Sequence, residues 1–315
     1  YIAGEELHIE GSNPDCIYDE IIRQEDTVGH HTSGINLSQA LSKDRYIDII
    51  EKLQDHIHRG DCYEINFCQD FYADDVLIDP FTVYHNLVQL SPNPFSALYR
   101  LEDSYLMCAS PERFLFKEGD TIISQPMKGT AKRDSQNRDR DEAKLVDLQN
   151  SAKEQAENVM VVDLVRNDLS RVCKEGTVKV DELFGVYSFP QVHQMVSTIS
   201  GKLETGKLSE IMKTCFPMGS MTGAPKKRVM ELIAQYEESA RGIFSGTVGY
   251  INPAGNFDFN VVIRSIMYNK ASKYLCYKTG SGITFYSDAE KEWEECLLKG
   301  EAIKKVLTGS APFTL

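Results

Sequence analysis

A lysine next to a glycine can be an amine nucleophile, a counter-ion or a solvated loop residue, and Lys128 in "QPMKGT" (Gln125–Thr130) raises that choice. It follows the apolar run "TIIS", which reads as a strand. Gly129 permits close approach of the backbone to a ligand, and Thr130 adds a hydroxyl. On its own, a lysine in such a place is ordinarily solvated. The segment "EQAENVMVVDLVRND" (Glu154–Asp168) puts Glu154 and Glu157 three residues apart, on one face of a largely apolar helix. Near the C-terminus, Glu292, Glu295 and Lys299 fall at i, i+3 and i+7 beside a stripe carrying Trp293 and Cys296. Either acidic strip alone reads most simply as a solvated ion-pair face. Two helices that each carry Glu-x-x-Glu beside an apolar face suggest more. Four carboxylates meeting at a cleft would make an all-oxygen site suited to Mg²⁺.

Two glycine-rich segments add polar backbone. In "FPMGSMTGAPK" (Phe216–Lys226), Gly219 and Gly223 are too close, and no Gly-Lys-Ser/Thr follows, so a nucleotide-binding loop is excluded. Its N–H groups and hydroxyls, Thr222 among them, still precede a helix and suit a carboxylate. "KTGSGI" (Lys278–Ile283), with Gly280 and Gly282, is either a second such turn or a strand kink.

The elements that must position these groups follow from periodicity. Tyr46, Ile49, Ile50, Leu53 and Ile57 recur at helical spacing between Ser42 and Gly60. Asp79-Pro80 opens a short helix through Leu90. Residues 96–124 read as strands, and Arg138–Cys173 as a helical region broken once. Leu208–Cys215 and Pro225–Glu238 read as helices, the second with Pro225 in its first turn. Ile243–Ile251, Phe257–Tyr268 and Lys273–Phe285 read as three strands. A single last helix is expected from Ser287, with Glu290 completing a capping box and Trp293, Cys296, Leu297, Gly300, Ile303 and Leu307 as its core stripe. Strands mixed with separate helices argue for an α+β fold with antiparallel sheets, not a doubly wound one.

The chain has 315 residues, within reach of one domain, and its 42% hydrophobic and 26% charged residues are ordinary for a soluble globular protein. A net charge of −13 argues against a nucleic-acid partner, and means that an anionic substrate would need local cations or a metal. The eight cysteines show no CxxC spacing and read as reduced cytosolic thiols. No apolar run is long enough to span a bilayer, and no signal peptide is visible.

In order along the chain, "GDCYEINFCQ", "SPERFL", "QPMKGT", "AENVMVVDLVRND", "VHQMVSTISG", "FPMGSMTGAPK", "GTVGYI", "VVIRSI", "GSGI" and "SDAEKEWEECLLK" resemble the chorismate-utilising enzymes over roughly residues 45–308. The resemblance implies one catalytic domain over 1–315, built of two antiparallel sheets packed as a sandwich with helices outside. Residues 1–42 would be the remnant of a larger N-terminal part that is mostly absent. Lysine at position 128 implies the branch that aminates chorismate through a covalent lysine, giving 4-amino-4-deoxychorismate for p-aminobenzoate and folate. The alternatives are the branch that also eliminates pyruvate, or a weakly catalytic subunit that binds and activates a glutaminase.

The resemblance further implies roles. Glu157 and Glu295 would hold Mg²⁺, with Glu154 and Glu292 nearby or through water. Glu112 of "SPERF" would be the general acid. Arg264, the turn at Gly280 and Gly282, and Tyr250 would hold the enolpyruvyl carboxylate, with Gly129, Thr130, Thr222, Gln194 and Lys299 also on the substrate. Ammonia would come from a separate glutamine amidotransferase subunit. Two departures stand out. Aminating members usually carry glutamine where this chain has Glu64, so its carboxylate either favours an ammonium ion or pairs with a neighbouring charge. The usual histidine position holds Gln194, with His193 one residue early and, in a strand, on the other face. Lys128 must also be neutral to attack, against an ordinary pKa of about 10.4. Burial would lower that value, nearby glutamates would raise it, and a bound metal would cancel part of the second effect.

Overall fold

The computed structural model describes residues 2–3, 6–7, 9, 12–23, 34–134, 136–189 and 192–309. Two short strands, β1 (Ile2–Ala3) and β2 (Glu6–Leu7), pair with each other, and helix α1 (Pro14–Arg23) follows. After β3 (Ser38–Gln39) comes α2 (Lys43–His58), whose cap is the Ser42 hydroxyl accepting the Arg45 N–H. Its buried side carries Tyr46, Ile49, Ile50, Leu53 and Ile57, the stripe expected from spacing. Next are β4 (Glu64–Ala73), α3 (Pro80–Leu90, capped by Asp79), β5 (Phe95–Leu101), β6 (Ser104–Ser110), β7 (Arg113–Glu118), β8 (Thr121–Gln125) and β9 (Met127–Lys132). The long helical region breaks once, at Ser151, into α4 (Arg138–Asn150) and α5 (Ala152–Ser170). Ser151 ends one helix and caps the other, its hydroxyl accepting the Glu154 N–H. The rest is β10 (Lys179–Ser188), β11 (Val192–Lys202), α6 (Leu208–Cys215), β12 (Gly223–Ala224), α7 (Lys226–Tyr236), β13 (Gly249–Ile251), β14 (Phe257–Asn260), β15 (Ser265–Asn269), β16 (Tyr274–Ile283), α8 (Ala289–Lys299) and α9 (Glu301–Thr308).

Among the described residues these strands build two antiparallel sheets of seven, the α+β architecture expected. The first has the order β10-β11-β8-β7-β14-β13, with β9 also on β11. The second has the order β12-β4-β16-β15-β6-β5, with β3 also on β4. Alternation along β4 decides what each face does. Ile65 and Phe67 pack with Ile50, Leu53, Val229, Leu232 and Cys296 of α2, α7 and α8. Cys68 joins instead the cluster formed by Leu115, Ile122 and Ile199 of the first sheet with Val161, Val165 and Leu169 of α5. Glu64 and Asn66 share the parity of Cys68, so they belong to the side facing the first sheet.

Local patterning misplaced four features. The last helix is two, broken at Gly300, and its cap is Asp288 in place of Ser287. Pro225 is the cap of α7, one residue before its first turn. In the run 243–251 only Gly249–Ile251 is strand. The run Phe257–Tyr268 is not one strand, because the chain leaves the first sheet after Asn260 and enters the second at Ser265.

That passage lies beside a second crossing, the link from β6 to β7 through Pro111 and Glu112. The Val261 N–H donates to the Glu112 carbonyl at 3.0 Å, and the Ala109 N–H donates to the Arg264 carbonyl at 3.1 Å. The Ser110 hydroxyl donates to the Val261 carbonyl at 2.6 Å. Glu112 and Arg264 are thus held on two hydrogen-bonded crossings between the sheets.

The start of β4 is tied down by Arg241. Its guanidinium donates to the carbonyls of Met221 (2.5 Å) and Asn66 (2.8 Å), and its Nη2 and Nε reach Glu237 at 2.6 and 2.9 Å. Both side chains are largely buried, so removing the cation strands the glutamate. Arg241→Met should lower unfolding free energy by about 3 kcal/mol. Urea denaturation checks this, and a loss below about 1 kcal/mol would show that the pair is dispensable.

Candidate active site

Lys128 comes from β9 of the first sheet and Glu64 from β4 of the second, and they meet across the space between. The Lys128 Nζ donates to Glu64 Oε1 at 2.5 Å, with the two side chains only 12% and 3% exposed. The second strand neighbour explains Gly282. It lies opposite Asn66 on β16, and a methyl group there would stand 2.6 Å from Lys128 Nζ and 2.8 Å from Glu64 Oε1. Gly282 is therefore a space requirement of the ion pair. Gly280 is equally constrained, since a methyl there would come within 2.5 Å of the Phe67 carbonyl and of Cys68 Sγ. On the other side, Gly129, with a φ of 91° that favours glycine, leaves room for Glu154.

The surrounding charges decide the state of the lysine. Burial pulls its pKa down, but Glu64, Glu157 and Glu295 together push harder in the other direction, so the amine is held above its ordinary value and cationic at neutral pH. Burial pushes Glu157 up to about 7, against Lys128 and with help from Glu154 and Glu64. Glu154 is raised by burial too, with Glu295 adding to the effect. Glu295 goes the other way: Lys299 lies 2.6 Å from it and holds it below the usual carboxylate range. Lys299 also donates to the Gly280 carbonyl at 2.9 Å, so it is engaged by the protein.

Among the described residues no three His, Cys, Asp or Glu side chains are placed to hold a metal ion together. Glu292 is raised by burial and by Glu295, with the Ser287 and Ser281 hydroxyls acting in the opposite direction. Glu157 and Glu295, on α5 and α8, remain as two oxygen-donor groups acting on the same lysine.

Glu112 is buried, and burial pushes its pKa up to about 7 against the Ser220 hydroxyl, which donates to its Oε1 at 2.7 Å, and against Lys128. Ser220 is a contributor that sequence reading passed over, although it sits within the quoted glycine-rich segment. Asn66, which donates to the Ser220 carbonyl at 3.2 Å, was missed as well and carries no local signal. Arg264 is pushed down to about 10 by burial, opposed by Glu295. Its guanidinium donates to the Lys299 carbonyl. Arg264 has a φ of 53°, unusual for a non-glycine residue and set by the crossing between sheets.

Of two further expected substrate groups, Thr222 lies beside the start of β4 with its hydroxyl used by its own turn, and Tyr250 lies at a sheet edge. The Thr222 hydroxyl donates to the Met218 carbonyl at 2.8 Å and so serves the turn, while its own carbonyl takes the Asn66 N–H. Tyr250 stands on the edge strand β13 opposite Asp258, 64% exposed, away from Lys128 because that strand lies at the far border of the first sheet.

Gln194 lies on β11 against β9. Its amide donates to the Gly129 carbonyl at 2.7 Å and accepts from the Thr130 hydroxyl at 2.8 Å, which fixes the backbone beside Lys128. His193 faces the other way, buried between Asp141 (3.0 Å) and Ser188 (2.8 Å). Arg133 completes that group on Asp141 at 2.7 Å. With this separation, His193→Ala should lower turnover of the folded protein by less than about tenfold, or about 1.4 kcal/mol of barrier. A loss of several orders of magnitude with an intact fold would give His193 a direct role.

The chain can now be set beside known proteins. A family model described as chorismate binding enzyme matches residues 7–305. Aminodeoxychorismate synthase component 1 of Escherichia coli (strain K12) is 39% identical over 270 residues, covering 85% of this chain and 58% of that protein. An anthranilate synthase component I-like protein of Synechocystis sp. (strain ATCC 27184 / PCC 6803 / Kazusa) is 35% identical over 277 residues, covering 87% of this chain and 56% of that protein. In structure, anthranilate synthase component I from Streptococcus pneumoniae TIGR4 superposes with a TM-score of 0.83 at 26% identity, covering 93% of this chain and 65% of that one. The chain thus spans somewhat more than half the length of the curated relatives it matches. It belongs to the chorismate-binding enzyme family.

Proposed function

We propose that this chain acts as an aminodeoxychorismate synthase component I, converting chorismate and ammonia to 4-amino-4-deoxychorismate. The observation that carries the reading is Lys128, a buried amine facing Glu64 and felt by Glu157 and Glu295. A lysine so enclosed is built for chemistry or for charge pairing, and relatives named for this reaction are among those that match.

In this reading burial raises Glu112 to about 7, so a substantial fraction of it holds a proton near neutrality, and it donates that proton to the leaving C4 hydroxyl. Lys128 bonds to ring carbon C2 as that hydroxyl departs. Ammonia then adds at C4 and expels the lysine. Arg264, engaged only by the Lys299 carbonyl among the described hydrogen bonds, has donors left for the enolpyruvyl carboxylate. Gln194 holds the Gly129 backbone and thereby the lysine.

The family resemblance implies Mg²⁺, and Glu157 with Glu295 fit it as oxygen donors, since Mg²⁺ commonly takes one or two carboxylates plus water and substrate. The burial that pushes Glu157 up to about 7 is the cost that a cation between them would relieve. Bound there, the ion would supply the charge that offsets the ring carboxylate. Lys299 and Lys153 neutralise the two glutamates from outside at 2.6 and 3.8 Å.

Ammonia would come from a glutamine amidotransferase subunit, and the product would serve p-aminobenzoate and folate synthesis. Among the described residues no helix is long and apolar enough to cross a membrane, and all eight cysteines are free thiols, which accords with a cytoplasmic setting.

The test is mass identification of the product from chorismate, ammonium chloride and Mg²⁺. The expected product is 4-amino-4-deoxychorismate without pyruvate. Release of pyruvate with a fluorescent 2-aminobenzoate would instead mark anthranilate formation, and no turnover at all would leave a partner-binding subunit. In the same assay Glu157→Gln and Glu295→Gln should each abolish Mg²⁺-dependent turnover while far-ultraviolet circular dichroism stays unchanged. Normal metal dependence in both would move the metal elsewhere.

A further inference from the structure

Glu64 carries an observation that the reading above leaves unused. Among the described residues its Oε2 is buried without a hydrogen-bond partner, while its Oε1 takes the short bond from Lys128. An anionic oxygen buried with no donor bears an uncompensated desolvation cost. A proton on that carboxyl group would remove it. Lys128 has the complementary difficulty, since it is held as an ammonium and cannot attack until it loses a proton. Glu64 is the group in hydrogen-bond contact with the reacting nitrogen, the position a general base must occupy.

We propose that Glu64 is the proton acceptor and donor of the Lys128 nucleophile, taking a proton along the 2.5 Å bond as the amine attacks and returning it when the amine leaves. The proposal rests on the covalent-lysine reading. The steps balance. In the first, the Nζ proton moves to Glu64 Oε1, the Nζ–C2 bond forms, the C4–O bond breaks, and Glu112 protonates the departing oxygen to give water. The lysine nitrogen is then a secondary ammonium, Glu64 is neutral and Glu112 is anionic. In the second, ammonia bonds to C4, the C2–Nζ bond breaks, and the lysine leaves as a neutral amine. Glu64 returns its proton to that amine, and Glu112 takes the surplus proton of the new ammonium group. Both carboxyl groups end as they began.

The geometry explains two further features. A glycine at 282 leaves the donor and acceptor in place, because a methyl group there would meet both and displace the pair. Glu64 also sits on a different sheet from Lys128, so the proton donor and acceptor are set by the packing of the sheets and not by side-chain flexibility.

The test is the rate of lysine adduct formation, read by rapid quench and intact-protein mass spectrometry with chorismate and Mg²⁺ but no ammonia, between pH 6.5 and 9.5. The charged groups acting on Lys128 or on the carboxylates around it are Glu64 on β4, Glu154 and Glu157 on α5, Glu295 and Lys299 on α8, Lys153 on α5 and Glu112 on the crossing. All but Glu64 are kept, so their titration, including that of Glu112 and Glu157 near 7, is common to both proteins and the ratio of variant to wild-type rate reads Glu64. At pH 7.5 Glu64→Gln should form adduct at least tenfold more slowly than wild type. Its rate relative to wild type should climb with pH, by up to about tenfold per unit, because the proton must then leave to solvent. Glu64→Asp, which keeps a carboxyl group at shorter reach, should be slowed with the pH profile of the wild type. An adduct rate in Glu64→Gln equal to or faster than wild type at pH 7.5 would overturn the proposal, showing that the glutamate only masks the lysine. Should Glu64→Gln not fold, a Glu64→Asp profile that rises with pH unlike the wild type would overturn it as well. Absence of any adduct in wild type that still makes the 4-amino product would remove the covalent reading itself, and this proposal with it.

Discussion

The arrangement depends on one buried ion pair, Lys128 with Glu64, that joins two sheets. Burying two charges is expensive, and their attraction offsets the cost only when geometry is good and remaining lone pairs are satisfied. Here the contact is short, yet one glutamate oxygen has no partner among the described residues. The pair is therefore poorly explained as a stabilising device. It does impose constraints on the backbone. β4 must keep the register that turns Glu64 toward the first sheet, β9 must deliver Lys128 to the same point, and β16 must pass with only a hydrogen at Gly282. Slipping any of these strands by one residue would move its side chain to the opposite face.

Around that pair the protein concentrates like charge. Glu154, Glu157 and Glu295 act on the same region, in a chain of net charge −13. The consequences differ by position. Burial leaves Glu112 and Glu157 titrating near neutrality, whereas Lys299 keeps Glu295 ionised. Carboxyl groups of one chemical type are thereby given different proton affinities by environment alone. An anionic ligand entering such a site would need nearby cations to make its binding favourable.

Much of this was legible in the sequence where the signal is local. The α2 stripe, the Asp79 cap and the single break at Ser151 follow from spacing and capping chemistry. Lys128 and the two Glu-x-x-Glu strips stand out because a strand followed by glycine and a three-residue spacing are local patterns, whereas the choice of Glu157 and Glu295 among the four glutamates came from resemblance. Glu112 and Arg264 had no such pattern and were reached through resemblance, and their role in the fold is a crossing between sheets that apolar runs conceal. The partner of Lys128 was left open because it lies 64 residues away on another sheet. Gly282 could be read as a kink until its neighbours were known. Gly300 lay on an apolar stripe and hid the break between α8 and α9. Tyr250 came through resemblance alone, which transfers residue type but not its exposure at a sheet edge.

The account turns on whether Lys128 becomes bonded to the substrate ring. The most direct measurement is intact-protein mass spectrometry after incubation with chorismate and Mg²⁺ in the absence of ammonia, followed by peptide mapping. The account predicts a mass gain of chorismate less one water, located on the peptide that carries Lys128, lost in Lys128→Ala and also in Lys128→Arg, whose guanidinium stays charged. A Lys128→Ala variant that forms 4-amino-4-deoxychorismate at the wild-type rate would contradict it.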